Sequence, residues 1–248
     1  MTETDLLAKR WEQNYHPMTT GIIENLPIRS DWRCLDVGAG AGAMAYWLAE
    51  KAHRGSVLAV DIDTRHLDAG QADNLTVRQM DVSTEDFAPG SFDLVLARAV
   101  CSLVPDPDHL LARAARWVAP GGWLVAEDFY FLPGEDAPTP AARAVIASYL
   151  NGFAQAGADV RWARGLPANL AKAGLTSVGL HVTALGPGQS DQENELMRMR
   201  MGLQGQALAD SGLVSSQQIT EFVDSLDRPE ARDVATLEFS AWGQRPTG

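Results

Sequence analysis

Three carboxylates and one run of glycines hold the residue types and spacing that could do chemistry in this chain. Asp36 stands two residues before Gly38 in RCLDVGAGAGAMAYWLAE, where Gly38, Gly40 and Gly42 alternate with Ala39, Ala41 and Ala43. Glycine lets the backbone turn sharply with no Cβ in the way. A helix opening behind such a turn presents unpaired N–H groups and its positive dipole end to a ligand. On glycines alone, Gly38 to Ala43 satisfies the G-x-G-x-x-G/A turn that binds dinucleotides, and a nicotinamide dehydrogenase stays open. Asp36 tilts the choice, because a carboxylate at the strand tip repels a pyrophosphate and attracts an ammonium group. Asp61 closes SVLAVD one βαβ repeat later, where an acid can accept hydrogen bonds from both ribose hydroxyls, while Asp63 fits the role of a helix N-cap better. Asp81, followed by Val82 in RQMDV, can accept from an adenine amino group while the apolar neighbour covers the ring.

Together these acids describe a positively charged amino acid joined to a nucleoside without phosphate. S-adenosylmethionine (SAM) has that composition. Arg98 and the residues after it fall just beyond a strand end, at the edge where α/β domains bind ligands. A displacement at a sulfonium methyl needs a nucleophile held in line and water kept out, and a base helps a phenol or hydroxyl acceptor more than an amine or ring carbon. The groups that could serve as base or orienting group are His16, Tyr15, Asp128 and Tyr130. His16 reads equally well as an exposed loop histidine. Trp11, Phe129, Tyr130, Trp162 and Met201 fall in segments expected over the acceptor, favouring a flat, partly apolar molecule, although such residues at helical spacing more often form core. No His, Cys or carboxylate pair has metal-ligand spacing, so no metal is expected.

The elements that must position these groups alternate. Short apolar runs at Cys34–Val37, Val57–Val60, Leu75–Gln79 and Phe92–Leu96 read as buried parallel strands separated by helices. Asp106 and Pro107 open a helix reaching Val118, and a Pro120-Gly121-Gly122 turn feeds WLVAED. The natural fold is α/β, a doubly wound parallel sheet. Residues 1–30 read as one or two helices, broken at Pro17 and near Pro27, which either pack on the body or form a lid carrying Trp11, Tyr15, His16 and Met18. Beyond Asp128 come helices over 141–156, 164–175, 189–210 and 216–226, strands at 176–185 and near the C-terminus, and an added lobe on the substrate side at about 132–163 and 189–227. Residues 31–248 are thus expected to form one domain behind the N-terminal helices.

The net charge is −12, with 32 acidic and 20 basic residues, and no basic cluster occurs. That argues against a nucleic-acid partner. No run approaches the ~20 apolar residues of a membrane span. The acidic N-terminus does not read as a signal peptide, and Cys34 and Cys101 read as buried thiols, so a cytoplasmic protein is expected.

In this order the pieces resemble the class I SAM-dependent methyltransferases. CLDVGAGAG is similar to that family's first motif, VLAVDID to its ribose acid, RQMDV to its adenine-side acid, and SFDLVLARAV and PGGWLVAED to its fourth and fifth strands. GWLVAEDF, RGLPANLAKAGL and AWGQRP resemble a bacterial small-molecule branch, of the kind found in secondary metabolism. The resemblance implies a Rossmann-like seven-stranded sheet ordered 3-2-1-4-5-7-6 with the last strand antiparallel. It implies SAM against Asp36, Gly38, Ala39, Gly40, Asp61, Ile62, Asp81 and Val82, with Arg98 at the methionine end under Tyr15 or Met18, and S-adenosylhomocysteine as product. It further implies a small-molecule acceptor and leaves a homodimer open. Relatives often carry His shortly before a V-P-D-P turn, where this chain has Ser102. The D/N-P-P-aromatic motif of nucleic-acid amino methyltransferases is replaced by Ala97-Arg98-Ala99-Val100. A SAM-binding fold used for cyclisation or regulation would look the same.

Overall fold

A computed structural model describes residues 2–247. Seven strands form one sheet: β1 (Arg33–Val37), β2 (Ser56–Asp61), β3 (Leu75–Gln79), β4 (Phe92–Arg98), β5 (Val118–Phe131), β6 (Thr176–Leu185) and β7 (Thr236–Gln244). Their order is β3-β2-β1-β4-β5-β7-β6, as the resemblance implies. The first five run parallel, with Asp36 paired to Ala59 and Leu96 in register. β7 is reversed: Gly121 and Arg245 exchange a backbone bond at one end, and Leu132 donates to Ala235 at the other. Thr176 bonding Gln244 and Ala235 bonding Leu185 make β6 and β7 antiparallel as well.

Seven helices surround this order: α1 (Glu3–Glu24), α2 (Ala43–Lys51), α3 (Pro107–Trp117), α4 (Pro140–Gln155), α5 (Leu166–Lys172), α6 (Asp191–Asp210) and α7 (Ser216–Ser225). Their starts are set locally. Asp106 accepts from the His109 N–H, Thr139 from Ala142, Ser190 from Glu193, and Ser215 closes a capping box with Gln218, each satisfying an otherwise orphaned donor.

Three local expectations are corrected. α1 runs unbroken through Pro17. Proline inside a helix costs about 3 kcal/mol, but Tyr15, Thr19, Ile22 and Ile23 bury one side of this helix, and burial of that stripe outweighs the lost bond. The Pro120-Gly121-Gly122 segment lies within β5 as a register irregularity, Phe92 pairing with Val118 and Leu94 with Trp123; Pro and Gly inside a strand mark such sites. Asp63, expected to cap a helix, instead bonds the Arg65 N–H and guanidinium in a turn.

The chain divides into two compact units. The sheet unit holds residues 15–128, 162–181 and 239–247; the second holds 2–14, 129–161 and 182–238. The first boundary falls inside α1, between Asn14 and Tyr15. In the sheet unit Ile23, Met44, Leu48, Leu94, Leu96 and Val125 are buried in one cluster. In the second, Val145, Met201, Ile219, Phe222 and Leu226 form another. Among the described residues, no helix is long and apolar enough to cross a membrane.

Candidate active site

The glycine turn joins β1 to α2 with three left-handed residues, Gly38 at φ 67°, Gly40 at 57° and Gly42 at 93°. That region disfavours any residue with a Cβ. Space decides as well: a Cβ on Gly38 would lie 2.1 Å from Val100 Cγ2, and one on Gly42 would lie 2.5 Å from the Tyr46 ring. At these two positions the missing side chain is therefore used by the protein's own packing, where the sequence suggests room for a ligand. The Gly38 and Ala39 N–H groups both donate to Val60 O, at 2.8 and 3.0 Å, tying the turn to the end of β2.

Asp61 organises the next layer. Its Oδ2 accepts from the Gly40 N–H at 2.9 Å and its Oδ1 from the Asp63 N–H at 3.0 Å. A carboxylate has about four lone-pair sites, so each oxygen keeps capacity for a further donor. Ile62 beside it is 67% exposed, an apolar side chain left on the surface at the strand tip. Asp81 Oδ1 accepts from the Ser83 hydroxyl and N–H at 2.6 and 2.9 Å, bonds that hold its carboxyl below the usual range. Asp36 is buried at the tip of β1. Val82, next to Asp81, is buried, and its carbonyl accepts from Arg113 Nη1 at 2.9 Å.

A buried polar chain lies at the ends of β4 and β5. Arg98 Nη1 donates to Thr19 Oγ1 at 3.2 Å, and that hydroxyl donates to Glu127 Oε2 at 2.6 Å. Thr19 and Glu127 are almost wholly buried. Burial pushes the Glu127 carboxyl up, opposed by the Thr19 hydroxyl and then by Arg98. Sequence reading passed over Thr19 and Glu127; the one available signal was a second acid directly before Asp128 inside a buried strand.

The candidate bases separate on geometry. Asp128 accepts from both the N–H and the hydroxyl of Ser102, at 2.8 and 2.7 Å. Through these bonds it braces the turn after β4. His16 is on α1, not in a loop, with its ring edge-on to Trp47 at 6.4 Å between centroids. Its Nδ1 is buried with no hydrogen-bond partner among the described residues. Burial, then the nearby Arg98 charge, lowers its pKa, leaving a neutral imidazole at pH 7. Tyr15 is buried in the sheet unit. Met18 lines a groove of about 510 Å³ with Ile22, Leu26, His181 and Trp242.

The acceptor candidates also part. Trp11 and Phe129 meet edge to face at 6.1 Å, and Tyr130 follows them half-buried in the second unit. Met201 is buried in that unit's core cluster. Trp162 belongs to the sheet unit, its indole N–H donating to Asp108 Oδ1 at 2.7 Å. Asn169 of α5 donates to the same oxygen, so Asp108 ties the start of α3 to Trp162 and α5.

A model of the methyltransferase domain family matches residues 35–126. Among solved structures, phosphoethanolamine N-methyltransferase 2 of Haemonchus contortus, in complex with phosphomonomethylethanolamine and S-adenosylhomocysteine, superposes with TM-score 0.64 at 18% identity, covering 99% of this chain and 58% of that one. The chain has the class I methyltransferase fold. On the same methyltransferase fold, the 4+2 cyclase SpnF superposes with TM-score 0.64 at 17% identity, over 96% of this chain and 83% of its own. The ubiquinone biosynthesis O-methyltransferase of Paracidovorax citrulli is 33% identical over 135 residues, 48% of this chain and 56% of that enzyme. The chain spans about half or less of the length of the curated relatives it matches first.

Proposed function

We propose that this protein transfers the methyl group of SAM to an O, N or electron-rich C atom of a small, flat, partly apolar metabolite. The observation that carries this reading is Asp61 at the tip of β2, bonded to the Gly40 N–H of the glycine turn at 2.9 Å. Turn and acid are thereby held as one cradle, beside the buried Asp36. The donor set fits the ligand: a phosphate would meet three carboxylates, whereas an ammonium group and two ribose hydroxyls supply donors for them.

When bound, SAM supplies a methyl group already activated on a sulfonium. The chain's residues have the remaining work of alignment. On this reading Asp36 orients the amino-acid end, Asp61 the ribose and Asp81 the adenine, with exposed Ile62 closing on the nucleoside. Gly38, Ala39 and Gly40 shape the turn behind it, and Arg98 fixes the neighbouring strand end. For a hydroxyl acceptor, His16 is the favoured proton acceptor, being neutral with Nδ1 uncommitted among the described residues. The acidic net charge supports a small molecule over a nucleic acid as partner.

The likeness to a cyclase favours one second reading, a SAM-binding fold that does other chemistry. Incubation with SAM and a panel of phenolic, amine and indole acceptors, followed by mass spectrometry, separates the two. Methyl transfer yields S-adenosylhomocysteine and a product heavier by one methylene, in equal amounts and only with acceptor present. Turnover of an acceptor without S-adenosylhomocysteine supports the second reading and overturns the first.

A further inference from the structure

The second unit contains a recess that the cofactor cradle does not use. Phe131, Val145, Tyr149, Met197, Met201 and Phe222 wall it, and Arg200 is its one charged residue. Phe131 and Tyr149 belong to an aromatic group, with ring centroids 6.1 Å apart. The Arg200 guanidinium sits 5.5 Å from the Tyr149 ring centroid, an arrangement in which the ring face steadies the cation.

Arg200 differs from two arginines of its unit that are held by carboxylates. Arg198 on the same helix pairs with Asp227, and Arg10 pairs with Glu195. Among the described residues no carboxylate comes within ion-pair distance of Arg200, in a chain with twelve more acids than bases, 32 against 20. An adjoining cleft of about 510 Å³ shares Ile146 and Ala235 with the recess. Asp136 and Asp233 line that cleft and not the recess. Arg232 also lines that cleft, along with those two acids and bonded to the Gly188 carbonyl, so within the recess itself an anion meets Arg200 and no carboxylate. The recess itself measures about 80 Å³. That is about half of the ~150 Å³ of a closed cavity that takes up benzene, so a single ring is the largest group it could seat.

We infer that this recess binds a single-ring, flat apolar molecule bearing one anionic group, with the ring among the aromatic and methionine side chains and the anion on Arg200. Under the proposed function this is the chemical class of the acceptor, and that last assignment alone rests on the proposed function. Methionine walls adapt to such rings, and a guanidinium gives a carboxylate a charge-assisted, bidentate site.

The test is calorimetric titration of the whole protein, without SAM, using phenylacetate, its neutral isostere phenylacetamide, and acetate. The expected result is saturable phenylacetate binding with Kd below about 1 mM, roughly tenfold tighter than the amide, and no binding of acetate. Arg200→Gln should lower phenylacetate affinity to that of the amide and leave the amide unchanged, while Met197→Trp fills the recess and abolishes both. Thermal melts report whether each variant is folded, and the acid-to-amide ratio of the wild type needs no variant. Absence of saturable binding, equal affinity for acid and amide, or a preference that survives Arg200→Gln overturns the inference. Because SAM is absent from every titration, these outcomes are independent of whether the methyltransferase reading holds.

Discussion

Replacing Gly38 with Ala should destabilise the protein by about 2–5 kcal/mol and weaken the cofactor cradle with it. Two costs add. A non-glycine residue held at φ 67° costs about 1–2 kcal/mol, and a Cβ placed 2.1 Å from Val100 Cγ2 forces a displacement worth about 1–3 kcal/mol. The second cost is separable. Gly38→Ala with Val100→Ala removes the colliding methyl, so it should regain the packing part and leave the backbone part. Denaturant titration of the two variants checks this; a Gly38→Ala protein as stable as the wild type contradicts the packing account.

Arg98→Met should cost about 3–5 kcal/mol at neutral pH, because it leaves Glu127 buried without its compensating charge. The pH dependence has a fixed sign. Burial already pushes the Glu127 carboxyl up, so the folded state holds that proton more tightly than the unfolded chain. The folded protein then binds more protons between the unfolded and folded pKa values, and stability falls as pH rises through that window. Removing Arg98 raises the folded value further and widens the window. Arg98→Met should therefore recover in mild acid, and Arg98→Met with Glu127→Gln should recover at neutral pH, where the midpoint in urea shifts with unchanged slope. A variant whose stability is independent of pH from 4.5 upward contradicts the role given to Glu127.

What could be read before the structure was known is what local chemistry dictates. The glycine turn declared itself because three residues near φ +60° to +90° admit almost nothing else. Asp61 followed at one βαβ repeat, and the cap at Asp106 is a side chain acting within three residues of itself. Other features depend on partners far away in the chain. Glu127 and Thr19 are 108 residues apart, and no spacing rule links them. The bonds of Asp128 to Ser102, 26 residues away, and of Trp162 to Asp108, 54 residues earlier, are likewise outside any local pattern. Pro17 argued for a break that the burial of Tyr15, Thr19 and Ile23 overrides. The alternating chain order was legible as a parallel sheet, while the order of the last strands came only with the resemblance.

The central claim is that the acids at the strand tips hold SAM, and direct calorimetric titration of SAM into the wild type and Asp61→Ala tests it most closely. The account predicts saturable one-site binding to the wild type, no binding of NADH, and a roughly tenfold or greater loss in Asp61→Ala, the value of a hydrogen bond to a charged group. A wild type that takes up no SAM, or an Asp61→Ala protein that is folded and binds it equally well, contradicts it.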